Sequence, residues 1–130
     1  MKSRDAILRL KRFQVEESRR RVAQLETMIA EFSRMALELN REITNEETRT
    51  GNVDPAHFAY STYARAARAR RDNLKNSATD LGGQLEDAKG RLAEAQEELN
   101  KAQGLENREK SNEVTREENG APGVGRAARM

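Results

Sequence analysis

The chain has 130 residues, of which 35% are charged and only 4% aromatic, so it is too polar for a thick globular core. It has no cysteine, which excludes disulfide staples and thiolate metal sites, and a net charge of +2 supplies no bulk attraction to nucleic acid or anionic surfaces. No apolar run can span a bilayer, and the opening MKSRDAILRLKRF has neither an apolar signal core nor a small-residue cleavage site, so a soluble, unprocessed cytoplasmic chain is expected.

The first predicted element is a long helix over about residues 3–48. Leu8, Val15, Val22, Ile29, Ala36 and Ile43 recur every seven residues, and Lys11, Ser18, Leu25, Phe32, Leu39 and Glu46 fall between them. Steps of three and four keep such residues on one stripe of a helix that packs against another helix. A turn is expected at residues 49–54. Gly51 and Asn52 supply turn conformers, Asp54 is read as an N-cap and Pro55 as the first position of the next helix.

The second helix is expected over 55–108. Its seam runs Tyr60, Ala64, Ala67, Arg71, Leu74, Ala78, Leu81, Leu85, Ala88, Leu92, Ala95, Leu99, Ala102, with Arg71 the one polar member. The seam fades after Ala102, where Gly104, Asn107 and Ser111 interrupt it, and residues 109–130 are expected to form a frayed or disordered tail. At about 1.5 Å of rise per residue, the two helices would be roughly 70 and 80 Å long.

Charge segregation selects the topology. Residues 1–25 carry eight basic and three acidic side chains, 26–54 three and seven, 55–77 five and one, and 78–108 four and seven. Folding back at Asn52 sets each basic block against an acidic one, whereas a parallel dimer would place Arg19, Arg20 and Arg21 beside their own copies. The fold class read from the sequence is therefore all-α: two long helices in an intramolecular antiparallel coiled-coil hairpin over 1–108, monomeric when free.

Chemistry-bearing motifs are sparse. The single histidine, His57, has no nucleophile with triad spacing beside it, and GGQLEDAKG (82–90) lacks the Lys-Ser/Thr pair of a phosphate loop. No enzymatic activity, metal or cofactor is expected. Gly82 and Gly83 each weaken a helix interior by roughly 1 kcal/mol relative to Ala, which suits a hinge, a close partner approach or a tolerated weak spot. RAARARR (65–71) reads as a solvated face opposed by the Glu-rich end of helix one. KRFQVEESRRR (11–21) carries more charge than the block facing it and should meet something acidic. Of the aromatic residues near the turn, Tyr60 is a seam residue, while Phe58 and Tyr63 lie off it, so at least one of them should be exposed or cover the end of the hairpin.

A short antiparallel hairpin that opens RLKRFQVEESRRRVAQLE, carries DPAHFAYSTYARAARARRDNL after its turn and ends in a polar tail resembles the flagellar export FliJ family over about residues 1–108. The resemblance implies a non-enzymatic stalk or adaptor of the flagellar type III export apparatus. Such a protein binds the hexameric export ATPase, promotes its assembly and activity, contacts the membrane-embedded export gate and binds export chaperones, at the cytoplasmic base of the flagellum. On that reading Arg9, Lys11, Arg12, Arg19 and Arg20 are electrostatic anchors for the ATPase, and Phe58, Tyr63, Arg70 and Leu74 contact the gate or a chaperone. The family's apolar gate-binding spacing is matched poorly, with Ala and Arg at several positions. An injectisome stalk or a generic coiled-coil adaptor shares the same physical features. A nucleic-acid-binding hairpin would need the Arg runs free of acidic partners, and neither nucleic acid nor membrane insertion is expected.

Overall fold

In the computed structural model the described backbone covers residues 2–129, and the described side chains are those of residues 3–117. Two helices account for nearly all of it: α1, Lys2–Thr50, and α2, Thr62–Arg129, with no strand among the described residues. The all-α, two-helix class expected from the seams is what the chain adopts.

All twenty-five seam positions are buried or half-buried, including the polar ones, Lys11, Ser18, Glu46 and Arg71. Each fully buried Leu, Ile or Val contributes about 1.5–3 kcal/mol, which two helices this charged need, because propensity alone leaves such helices marginal.

The chain divides into two compact units, Met1–Ser18 with Arg91–Met130, and Arg19–Gly90. In the first, Leu8, Val15 and Leu99 are buried together, with Leu92, Ala95 and Ala102 packed against them. Lys11 bonds Glu98 at 2.9 Å and Arg4 pairs with Glu109, an antiparallel order that also sets basic α1 against acidic α2. In the second, Leu39, Ile43 and Ala67 form a core against which Leu74 packs. Leu25, only 1% exposed, is the most deeply buried large side chain described. Arg21 reaches Gln84 at 3.2 Å, and the Arg71 guanidinium donates to the Asn40 side-chain oxygen at 3.0 Å, again in antiparallel order.

The helix ends depart from expectation at one place. α1 stops at Thr50 because Gly51 takes φ +72° and returns its N–H to the Glu47 carbonyl at 2.9 Å, the left-handed closure that glycine adopts without strain. The next helix does not begin at Pro55. Asp54 caps only a local turn, accepting the Ala56 N–H at 3.0 Å, and eleven residues of loop intervene before α2 opens at Thr62. The N-cap is Ser61, whose hydroxyl accepts the Ala64 N–H at 3.1 Å and donates to Glu46 of α1 at 3.0 Å, so one side chain both starts α2 and ties it to α1. At the far end burial stops after Glu106, within the stretch where the seam was expected to fade. The backbone nevertheless stays helical through 109–117, where fraying was expected, with every side chain from 107 to 117 exposed. The rest of the expected tail, residues 118–130, lies outside the residues whose side chains are described.

Candidate functional site

The residues singled out from the sequence separate into two groups, one in each unit. Arg9, Lys11 and Arg12 belong to the first unit, whereas Arg19 and Arg20 fall in the second, so the five expected anchors do not form one cluster within a unit. Lys11 is half-buried and committed to Glu98, and that bond is the leading reason the Glu98 carboxyl sits below its ordinary range. Arg19 and Arg20 are exposed but already engaged. Arg9 and Arg12 are exposed, and no hydrogen bond or ion pair engages them among the described residues. They border a shallow groove with Asp5, Gln103, Glu106 and Lys110, in which Lys110 pairs with Glu106 at 3.2 Å. The available positive charge of this face is thus narrower than the sequence suggests.

The second group surrounds the 51–61 loop, which is braced by its own polar side chains. Asn52 accepts the Asp54 N–H at 3.1 Å, the His57 N–H donates to the Asp54 carbonyl at 3.0 Å, and the Tyr60 N–H donates to the His57 carbonyl at 3.1 Å. His57 Nδ1 accepts the Ala59 N–H at 3.0 Å and lies 3.1 Å from the Asn52 amide nitrogen. This loop carries Phe58 outward, 94% exposed and stacked on the His57 ring with centroids 4.7 Å apart. Both off-seam aromatic residues are exposed, Tyr63 at 56%.

Behind the loop lies a closed polar triad that the sequence did not disclose. Buried Tyr60 donates its hydroxyl to Glu47 at 2.7 Å and accepts from Arg68 Nε at 2.9 Å, and a second Arg68 nitrogen returns to Glu47 at 3.2 Å. The Tyr60 bond first, then Arg68, holds the Glu47 carboxyl below its ordinary range. Arg65 and Arg68 both lie over the Tyr60 ring, 5.5 and 5.8 Å from its centre. Seam periodicity placed Tyr60 inward and charge segregation set the 65–71 run against the Glu-rich end of α1, as Arg68 and Glu47 show; that both close on the Tyr60 hydroxyl depends on the path of the loop.

The four residues expected to contact a gate or chaperone are treated unequally. Tyr63 donates to Glu42 at 3.1 Å, which pushes its phenol up, and Arg70 shares a shallow groove with Glu42, Met35 and Leu39. Leu74 is half-buried and packs inward against the Leu39, Ile43 and Ala67 core, as its seam position requires.

Among the described residues no group of three or more His, Cys, Asp or Glu is placed to hold a metal ion, and no helix is long and apolar enough to cross a membrane. No family model, curated protein or solved structure matches this chain.

Proposed function

We propose that the chain is a non-enzymatic helical adaptor of a bacterial type III protein export apparatus, of the flagellar stalk kind. It acts by docking on an export ATPase ring from the face bearing Arg9 and Arg12. The observation that carries the reading is the contrast on α1: Lys11 is consumed by Glu98, while its near neighbours Arg9 and Arg12 are exposed and unengaged among the described residues. Unengaged guanidinia on a rigid helix are suited to carboxylates of a partner, giving orientation and association rate more than raw affinity. The braced loop that presents Phe58 supplies a second contact, for the export gate or an export chaperone, since a loop whose backbone is already tied by its own hydrogen bonds loses less entropy on binding. The location that this role entails is the cytoplasmic base of the flagellum.

A nucleic-acid interface is supported less well, because Arg68 and Arg71 of the basic run are held by Glu47, Asn40 and Asp72. The test is the hydrolysis rate and hexamer fraction of the export ATPase from the same bacterium, with and without this protein. Both should rise with the native chain, and Arg9→Glu with Arg12→Glu should abolish the rise while leaving helicity unchanged. No rise with a folded native chain would replace this reading with that of a generic coiled-coil adaptor.

A further inference from the structure

The loop at residues 51–61 carries a single Asp, Glu, Lys or Arg, Asp54, in a chain of which 35% is charged. It also holds the two most exposed large apolar side chains described, Phe58 at 94% and Val53 at 69%, with Ala56 and Ala59 exposed as well. A slack loop would let these groups turn inward, but this one is held open. The N–H groups of Gly51, Asp54, Ala56, His57, Ala59 and Tyr60 all donate within the loop or to the end of α1, and the hydroxyls of Tyr60 and Ser61 tie its far end to Glu47 and Glu46. Depletion of charge, a projecting aromatic side chain and a backbone that needs little further ordering are marks of the buried centre of an interface.

Charge and area decide the occupant. Residues 42–70, which bracket the loop, hold four Asp or Glu and four Arg, and among them Glu46 pairs with Arg49 and Glu47 with Arg68. An anionic lipid surface holds a protein by apolar area plus basic charge. The loop has no net positive surround to offer it, and Asp54 falls between the two apolar groups in the chain. A second copy brings too little area: two Phe58 side chains meeting loop to loop remove about 300–500 Å² from water, against about 1,200 Å² or more in a stable interface. A concave site on a different protein supplies the missing area, because its walls are buried along with the ring. We infer that Phe58 is a plug for an uncharged apolar pocket on another protein, held by apolar burial and not by ion pairs. The inference rests on the proposal that this loop is the chain's second contact, and adds the chemistry of the surface it meets.

The experiment is photo-cross-linking in the bacterium that makes the chain, with the full-length protein carrying benzoylphenylalanine in place of Phe58 or, as the control, in place of exposed Ala69 on α2. Position 58 should give an adduct with one protein, absent from the control, whose cross-linked residues line an apolar pocket. That protein, purified, should bind the native chain with less than about a twofold change in affinity between about 50 and 500 mM salt. Phe58→Ser should weaken binding at least about tenfold with the melting temperature unchanged, because the side chain is exposed. No adduct at position 58, an adduct only with a second copy or with lipid, an affinity that falls steeply with salt, or binding indifferent to Phe58→Ser overturns the proposal. The export reading is judged separately, by the identity of the partner. A pocket on a protein outside the export apparatus would leave the plug standing and refute the export role of the loop, whereas steeply salt-dependent binding to the gate or a chaperone would do the reverse.

Discussion

Glycine-to-alanine changes at two places should have opposite signs. Gly82 and Gly83 lie inside α2, and a Cβ added to either meets nothing within 4 Å, so close approach of another part of the chain does not explain them. Alanine is then free to exert its helix preference, about 1 kcal/mol per position, partly by narrowing the unfolded ensemble. The double variant Gly82→Ala with Gly83→Ala should gain about 2 kcal/mol and, for a chain of this size, about 6–10 °C in melting temperature. Space around Gly51 is equally open, but its φ of +72° is costly for an L side chain. Gly51→Ala should therefore lose about 1–2 kcal/mol. Circular dichroism melts at 222 nm, repeated in urea, read both changes. A Gly82/Gly83 double variant that is neutral or destabilised would refute the reasoning, because it would mean that residues 82–83 are not ordinary open helix in solution.

Leu25→Ala should cost about 2–4 kcal/mol, since the side chain is fully buried, while Leu85→Ala should cost roughly half as much because Leu85 is half-exposed; chemical denaturation compares them, and equal losses would contradict the burial pattern. Ser61→Ala should lose about 0.5–2 kcal/mol and raise amide exchange at Ala64, whereas Asp54→Ala should leave Ala64 protection unchanged; the reverse would return the helix start to Pro55. The Glu47 carboxyl is depressed from its ordinary 4.5, chiefly by the Tyr60 hydroxyl, so its contribution to stability is present above that value and is lost as pH falls through the lower folded value. Tyr60→Phe should therefore be less stable than the native chain near neutrality and should lose less stability on acidification below pH 4.5, which acid titration of the melting temperature would show.

The seam was legible because burial on a helix pair is periodic, and even Ser18, Glu46 and Arg71 obey the period. The helix start was misread because Asp54-Pro55 carries every chemical mark of an N-terminus. The same aspartate serves equally well in an Asx turn, and only the bonds of Ser61 decide between them. Ser61 followed by Thr62 was a second capping signal in the sequence, weaker because no acidic residue lies in the first turn of α2. Surface anchors were the least legible. Periodicity sets Lys11 on the seam and Arg12 off it but says nothing about which neighbour claims a charge, so the Glu98 partner of Lys11 and the engagement of Arg19 and Arg20 emerge only in the fold.

The bond from Arg71 to Asn40 also bears on how the chain finds its alignment. Heptad stripes of Leu and Ala are nearly self-similar under a shift of seven residues, so hydrophobic packing alone ranks neighbouring alignments closely. In the native pairing the half-buried guanidinium meets the Asn40 amide oxygen. Sliding the helices by one heptad away from the turn would replace Asn40 with Ser33, whose short hydroxyl is a poorer acceptor for the fork. The Asp72 carboxylate travels with Arg71 in every alignment, whereas the Asn40 oxygen is met in the native one, so this bond ranks the native alignment above that shift.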